Sequence, residues 1–103
     1  MAAPAESPNT IVVGVTGRIE RAEIARLCHR VRSLVESGST DLVVDVSALL
    51  APDVATVDAL ARMQLTARRL GREIRVQHAC HRLVELLVLT GLADVIPRAA
   101  DEQ

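Results

Sequence analysis

Three short runs rich in β-branched residues alternate along this chain with three longer segments that have helical periodicity. The runs are TIVVGV (10–15), DLVVDV (41–46) and EIRVQHA (73–79). A glycine follows each helical segment, as expected where a helix ends in a left-handed residue. In a β-α-β-α-β-α order, right-handed crossovers join successive strands, which then pair in parallel. The sequence therefore predicts an α/β fold with a small, mainly parallel sheet.

The same patterns predict the core of the middle of the chain. The run DLVVDV is almost continuously apolar, which predicts a strand covered on both faces. A helix is predicted to follow the Pro52–Asp53 corner and to run to about Leu70, with Asp53 as its N-cap because a carboxylate there accepts first-turn N–H groups. Its predicted core positions are Val57, Leu60, Ala61, Ala67 and Leu70.

The length of the chain, 103 residues, predicts one domain. We expect residues 1–9 to be a flexible lead, residues 10–98 to form the domain and residues 99–103 to fray. The lead has neither basic residues nor an apolar stretch, so it is not predicted to be a secretory signal. Two cysteines that lie 52 residues apart form no disulfide framework, and we expect a reducing, cytoplasmic location.

Composition argues against nucleic acid and membranes as partners. A net charge of −1 provides no basic surface for phosphates, and the absence of Phe, Tyr and Trp removes any platform on which bases could stack. No apolar run approaches the roughly 20 residues of a membrane-spanning helix. We therefore expect no nucleic-acid partner and no direct insertion into a membrane.

No motif in the sequence indicates a cofactor site, a metal site or a catalytic residue. Glycine-rich phosphate loops are absent from the sequence, and the cluster of His78, Cys80 and His81 has unspecific spacing for a metal site. We predict no cofactor, no metal and no enzyme activity. Cys80 does stand between a strand and a helix, where a thiol can be activated. A cysteine-dependent enzyme is therefore kept as one alternative function.

Four segments have the order and spacing of a known domain pattern. The central segment, VVDVSALLAPDVATVDALA (43–61), is similar to LDLSGVTFIDSSGLGALL, with Asp45 and Ser47 at the Asp-Leu-Ser element and Asp53 at the second Asp. The others are VTGRIE (15–20), RRLGREIRV (68–76) and RLVELLVLTGLADVI (82–96). By these motifs, over residues 10–98, the chain resembles the STAS domain of anti-sigma factor antagonists.

The resemblance implies a small parallel or mixed sheet with helices packed mostly on one side. The family usually begins with one more strand, and few residues precede Thr10 to form it. The resemblance also implies a function in binding protein. In the family, the strand-to-helix corner and the second helix dock onto a kinase-like, ATP-binding anti-sigma factor, and this docking frees the sigma factor. The kinase switches docking off by phosphorylating a Ser directly after the motif Asp.

This chain departs from the family at the phosphorylated position. Val54 stands where the acceptor Ser is usual, Ala55 follows it, and Thr56 replaces the usual Gly. Two interpretations are open, since the module is either not switched at this corner or uses Thr56 as a displaced phospho-acceptor. A further pair of alternatives concerns packing. Val54 and Ala55 either form a docking surface, or they pack inward and the corner is only a turn.

The expected partner is a kinase-like, ATP-binding anti-sigma factor, and a homodimer is left open. The predicted partner-binding residues are Asp53, Val54, Ala55, Thr56, Asp58 and Arg62. One alternative is that the chain is a STAS accessory subunit of an ABC-type lipid transporter. The other alternative is the enzyme that uses Cys80.

Overall fold

A computed structural model of the chain describes residues 10–38 and 41–99. The predicted lead at residues 1–9 lies outside the described residues, and so do residues 100–103 of the predicted frayed end, 99–103. Strands and helices alternate as the sequence predicts. The elements are β1 (Thr10–Gly17), α1 (Arg21–Glu36), β2 (Asp41–Leu49), α2 (Val54–Arg69), β3 (Ile74–Gln77) and α3 (His81–Leu89).

The three strands form one parallel sheet in the order β1-β2-β3. Val13 of β1, Val44 of β2 and Val76 of β3 lie side by side in register, and all three are buried. This order places β2 in the centre, with a helical crossover after β1 and another after β2. The predicted α/β class and parallel sheet are confirmed.

One face of β2 carries the core, and the other is only half-buried. Leu42, Val44 and Val46 are buried, whereas Val43 and Asp45 between them are half-buried. The prediction that β2 is covered on both faces is wrong, because the helices pack on a single side of the sheet. An apolar residue on the open face, such as Val43, made the run look continuous without being part of the core.

The core positions predicted for α2 are correct except at its end. Val57, Leu60 and Ala67 are buried, and Ala61 packs against the core while half-buried. Leu70 is exposed, so its assignment to the core is wrong. The reason is that α2 ends at Arg69, and Leu70 is already the C-cap, outside the helical periodicity on which the prediction rested.

A buried glutamine joins α2 to β3 and to the C-terminal segment. Gln64 is fully buried, and its Oε1 accepts a hydrogen bond of 2.8 Å from the N–H of Ile74. Its Nε2 donates to the carbonyl of Val95 at 2.8 Å and to that of Ile74 at 3.3 Å. These bonds satisfy backbone groups of two other segments from one side chain, which is how a polar residue is accommodated in an apolar core.

The C-terminal segment runs along the outer edge of β3. The N–H of Val76 donates to the carbonyl of Pro97 at 2.9 Å, and the N–H of Ala99 donates to the carbonyl of Val76 at 2.8 Å. Arg98 thereby forms a parallel bridge with Val76. The free edge of β3 is therefore closed by the protein's own backbone.

Within the described ranges, no helix is both long enough and apolar enough to cross a membrane.

Candidate functional site

The corner between β2 and α2 is a short turn held to the neighbouring strand. β2 ends at Leu49, and the N–H of Leu50 donates to the carbonyl of Gly17 at the end of β1, at 2.9 Å. Ala51 then takes a left-handed backbone angle, φ +48°, which is uncommon for a residue with a Cβ atom. This turn lets the chain leave the carboxyl end of the sheet and enter α2 after Pro52 and Asp53.

A reciprocal capping box starts α2. The Oδ1 of Asp53 accepts a hydrogen bond from the N–H of Thr56 at 3.1 Å, and the N–H of Asp53 donates to Thr56 Oγ1 at 3.2 Å. The Thr56 hydroxyl also donates to Asp53 Oδ1 at 3.3 Å. Two backbone N–H groups at the helix start are thus satisfied by side chains. Asp53 is the N-cap that the sequence predicts.

Replacing Asp53 with Ala is expected to lower the free energy of unfolding by about 1 kcal/mol, because the cap is lost while the fold is kept. Chemical denaturation followed by circular dichroism measures this change. Asp58→Ala is the matched control, since that carboxylate on α2 contributes only an exposed ion pair and its loss is expected to change stability by about 0.5 kcal/mol or less. Equal effects of the two substitutions would contradict a capping role.

Thr56 is buried within this cap. Its side chain is 2% exposed, and its hydroxyl is engaged with both the carboxylate and the N–H of Asp53. A kinase that phosphorylated this oxygen would first have to open the first turn of α2. The added charge would also stand against the Asp53 carboxylate, which is unfavourable.

Two large apolar side chains at the corner face solvent. Leu50 is 63% exposed and Val54 is 65% exposed, on either side of Pro52 and Asp53. The alternative in which Val54 packs inward is therefore wrong, and Ala55 is half-buried. We call Leu50, Asp53, Val54 and Ala55 the corner surface.

Asp58 and Arg62 continue along α2 from the corner surface. Arg62 Nε donates to both carboxylate oxygens of Asp58, at 3.0 and 3.1 Å, and both side chains are largely in solvent. They line a groove of about 520 Å³ between α1 and α2. The groove is also lined by Arg21, Ile24, Ala25, Cys28, Leu65, Thr66 and Arg69. The predicted site residues thus lie on one stretch of surface, with Thr56 beneath it.

A second polar group lies at the carboxyl end of the sheet. The N–H of Ser47 donates to Asp45 Oδ1 at 2.9 Å and lowers the pKa of that carboxyl below its usual value. His78 Nδ1, 3.5 Å from the same oxygen, adds a smaller lowering of the pKa. Asp45 is therefore ionised at neutral pH, and its bond to the Ser47 N–H lies within β2, where the register with β1 shifts.

Cys80, the candidate nucleophile, is exposed and forms the N-cap of α3 without a side-chain capping bond. Cys28 is half-buried on α1. Among the described residues, no group of three His, Cys, Asp or Glu side chains converges on a point where a metal could bind.

The sequence patterns did not indicate Leu50 as an exposed residue of the corner surface. The available signal was a large apolar residue placed directly between a strand and the Ala-Pro-Asp turn. It was missed because the family motif concentrates on the residues after the second Asp.

Comparison with known proteins gives one family and one fold. A family model described as "Mlab, STAS domain" matches residues 2–97. Among solved structures, the anti-sigma factor antagonist SpoIIAA in its unphosphorylated form is similar, with a TM-score of 0.69 and 11% sequence identity. That match covers 95% of this chain and 86% of the other. No curated protein sequence matches the chain.

Proposed function

The chain belongs to the STAS domain family, and from this premise we propose that it is a protein-binding regulatory module that acts as an anti-sigma factor antagonist does. The resemblance found in the sequence motifs is confirmed by the family model over residues 2–97. The fold of SpoIIAA, an anti-sigma factor antagonist, supports the same role. The observation that carries the proposal is the exposure of Leu50 and Val54 beside a rigid cap.

The proposed partner is a kinase-like, ATP-binding anti-sigma factor. The corner surface would supply apolar contact, and Asp58 and Arg62 would supply polar contact at its rim. Interfaces of this type combine a few desolvated apolar anchors with a polar periphery. Thr56 contributes from beneath, because its bonds to Asp53 fix the conformation of the turn.

The proposed module differs from a phosphate-switched antagonist. Val54 has no hydroxyl to receive a phosphate, and the hydroxyl of Thr56 is held inside the cap. We infer that docking at this corner is not turned off by phosphorylation. The change from Ser to Val also exchanges a polar side chain for an apolar one at the surface, which favours a persistent contact.

The proposal is tested by co-purification of partners on immobilised full-length protein, with mass spectrometry of everything retained. Wild type is compared with Leu50→Asp, which would bury a charge in the contact, and with Leu89→Asp, which places the same charge at another exposed leucine at the end of α3. We expect a kinase-like anti-sigma factor to be retained by wild type and by Leu89→Asp. Its recovery on Leu50→Asp is expected to fall about tenfold.

Other recoveries would contradict the proposal. Retention of a transporter ATPase and permease, lost with Leu50→Asp, would assign the corner surface to lipid transport. Equal retention of the kinase-like protein by all three forms would show that the corner surface is not part of the interface. Phosphate found on Thr56 in the same spectra would contradict the absence of a switch.

A further inference from the structure

The groove between α1 and α2 is lined by one stripe of each helix. The α1 stripe repeats at helical spacing over about two turns. Its members are Arg21, Ile24, Ala25 and Cys28. The α2 stripe extends from Asp58 to Arg69, a length of about 16 Å at 1.5 Å per residue. The groove is therefore long enough to hold about three turns of a helix from another protein.

The floor of the groove is apolar and partly open to solvent. Ile24 belongs to the core, and Leu65 on the α2 side is 50% exposed. Ala25 is exposed and Cys28 is half-buried, so the α1 side contributes small side chains. An exposed apolar side chain such as Leu65 gains free energy when a second apolar side chain removes it from water. The floor therefore fits the apolar face of an amphipathic ligand.

The rim of the groove is positively charged. Its charged residues are Arg21, Asp58, Arg62 and Arg69. Arg62 is paired with Asp58, which leaves two arginine charges in excess. Arg21 and Arg69 are exposed, and within residues 10–38 and 41–99 neither forms an ion pair. The whole chain carries −1, so the positive charge is a local property of this groove.

We propose that this groove binds an acidic amphipathic helix of the partner protein. The apolar face of the helix would lie on Leu65, and its carboxylates would lie beside Arg21 and Arg69. Helices that bind in grooves place apolar residues at i, i+3 or i+4 and i+7 against the floor. Arginine suits the rim, because a guanidinium can bind a carboxylate through two parallel hydrogen bonds. The same charges would repel a basic helix.

The groove begins next to the corner surface. Asp58 lies about one turn after Val54 on α2, and Arg62 lies about one turn further along. A protein that docks at the corner surface can therefore place a helix in the groove while it stays in contact with α2. The assignment of the helix to that partner rests on the proposed function, whereas its acidic and amphipathic character rests on the groove alone.

The groove is tested with a fluorescent peptide of about 18 residues, long enough to form a helix in water. The peptide carries leucines along one face and glutamates beside them, and the matched control peptide carries lysine in place of each glutamate. Fluorescence anisotropy measures the binding of each to the full-length protein. We expect the acidic peptide to bind about tenfold more tightly than the basic one. A dissociation constant above about 1 mM for the acidic peptide, or equal binding of both peptides, would overturn the proposal.

Two substitutions at the rim are expected to change binding of the acidic peptide in opposite directions. Arg21→Glu reverses a charge at the first residue of α1, where an acidic side chain favours the helix, and it is expected to weaken binding about tenfold. Asp58→Asn releases Arg62 from its ion pair and is expected to strengthen binding about threefold. Weakening by both substitutions would contradict the proposal.

Arg30→Glu is the matched control for the charge reversal. Arg30 is exposed and lies about 2.5 turns from Arg21, on the opposite side of α1. At physiological ionic strength, where distant exposed charges are screened, this variant is expected to bind the acidic peptide as wild type does. Equal losses in Arg21→Glu and Arg30→Glu would show that the net charge of the chain, and not the groove, determines binding.

Alkylation of the two cysteines shows where the peptide binds. Cys28 lines the groove, whereas Cys80 is the N-cap of α3. With the acidic peptide at about ten times its dissociation constant, the reaction of N-ethylmaleimide with Cys28 is expected to slow about tenfold, and that with Cys80 to stay unchanged. An unchanged rate at Cys28 would overturn the proposal. Protection of Cys28 that rises with protein concentration alone would mean that a second copy occupies the groove, with the same consequence.

The co-purification experiment separates this inference from the proposed function. Recovery of the kinase-like partner is expected to fall about tenfold with Arg21→Glu and to stay unchanged with Arg30→Glu. A partner that is lost with Leu50→Asp but retained by Arg21→Glu would overturn the inference and leave the proposed function standing. A wild-type protein that retains no kinase-like partner would overturn the proposed function, and the peptide measurements would still decide whether the groove binds an acidic helix.

Discussion

Replacing Val54 with Asp is expected to weaken binding of the kinase-like partner about 100-fold while the protein remains fully folded. Val54 is 65% exposed and is the first residue of α2, so the free protein has room for the carboxylate. An acidic side chain in the first turn is even favourable for the helix. In the complex, however, the same carboxylate would lose its water without gaining a partner, at a free-energy cost of about 3 kcal/mol.

Isothermal titration of wild type and variant against the purified partner measures this loss. Val88→Asp is the matched control, since Val88 is a similarly exposed valine at 62%, placed in the last turn of α3. By the topology of parallel strands and returning helices, that turn lies at the end of the sheet away from the corner. We expect Val88→Asp to bind with wild-type affinity. Binding that is unchanged in Val54→Asp, or lost equally in both variants, would show that the corner surface does not form the contact.

Replacing Gln64 with Leu is expected to lower the free energy of unfolding by about 3 kcal/mol. Leu is close to Gln in volume, so the cavity term is small and the loss comes from hydrogen bonds. The N–H of Ile74, bonded to Gln64 at 2.8 Å, would be left without a partner, and the carbonyl of Val95 would keep only the bond from Arg68 Nη2 at 3.3 Å. A buried backbone group without a partner costs about 1–3 kcal/mol.

Denaturant unfolding measures the change directly, and the melting temperature is expected to fall by about 15 °C for a domain of this size. Gln77→Leu makes the same chemical change at a half-buried residue whose side-chain bond is to the exposed ring of His78, at 3.2 Å. That control is expected to lose about 1 kcal/mol or less. If Gln64→Leu were as stable as Gln77→Leu, the bonds of Gln64 would not hold α2 to β3 and to the C-terminal segment.

Local sequence patterns were sufficient to predict the order of the strands and helices and the N-cap of α2. The spacing of Asp53 and Thr56 lies within one helical turn, so both the cap and the bonding of the Thr56 hydroxyl to local backbone follow from sequence neighbours. The family resemblance rests likewise on motifs within short segments. Features of this kind are predictable because residues close together in the chain determine them.

Long-range features could not be predicted in this way. Gln64 bonds to Ile74 and Val95, which are 10 and 31 residues away. A polar residue in a helical pattern does not indicate partners so distant in the sequence. The one-sided cover of β2 depends on where the helices pack, which an apolar run does not encode. The exposure of Leu50 depends on the left-handed turn at Ala51, since the same residue would face differently if the strand continued.

The capping box at Asp53 and Thr56 has a consequence for how the proposed antagonist is controlled in a cell. The Thr56 hydroxyl is committed to the start of α2, and none of the four residues of the corner surface carries a hydroxyl. On the proposed function, occupancy of the partner then follows mass action alone, and it is set by the numbers of the two proteins and their dissociation constant. The fraction of the partner that is occupied would rise steeply once the antagonist outnumbers its partner. Synthesis and degradation of this chain, rather than a reversible chemical mark, would set the threshold.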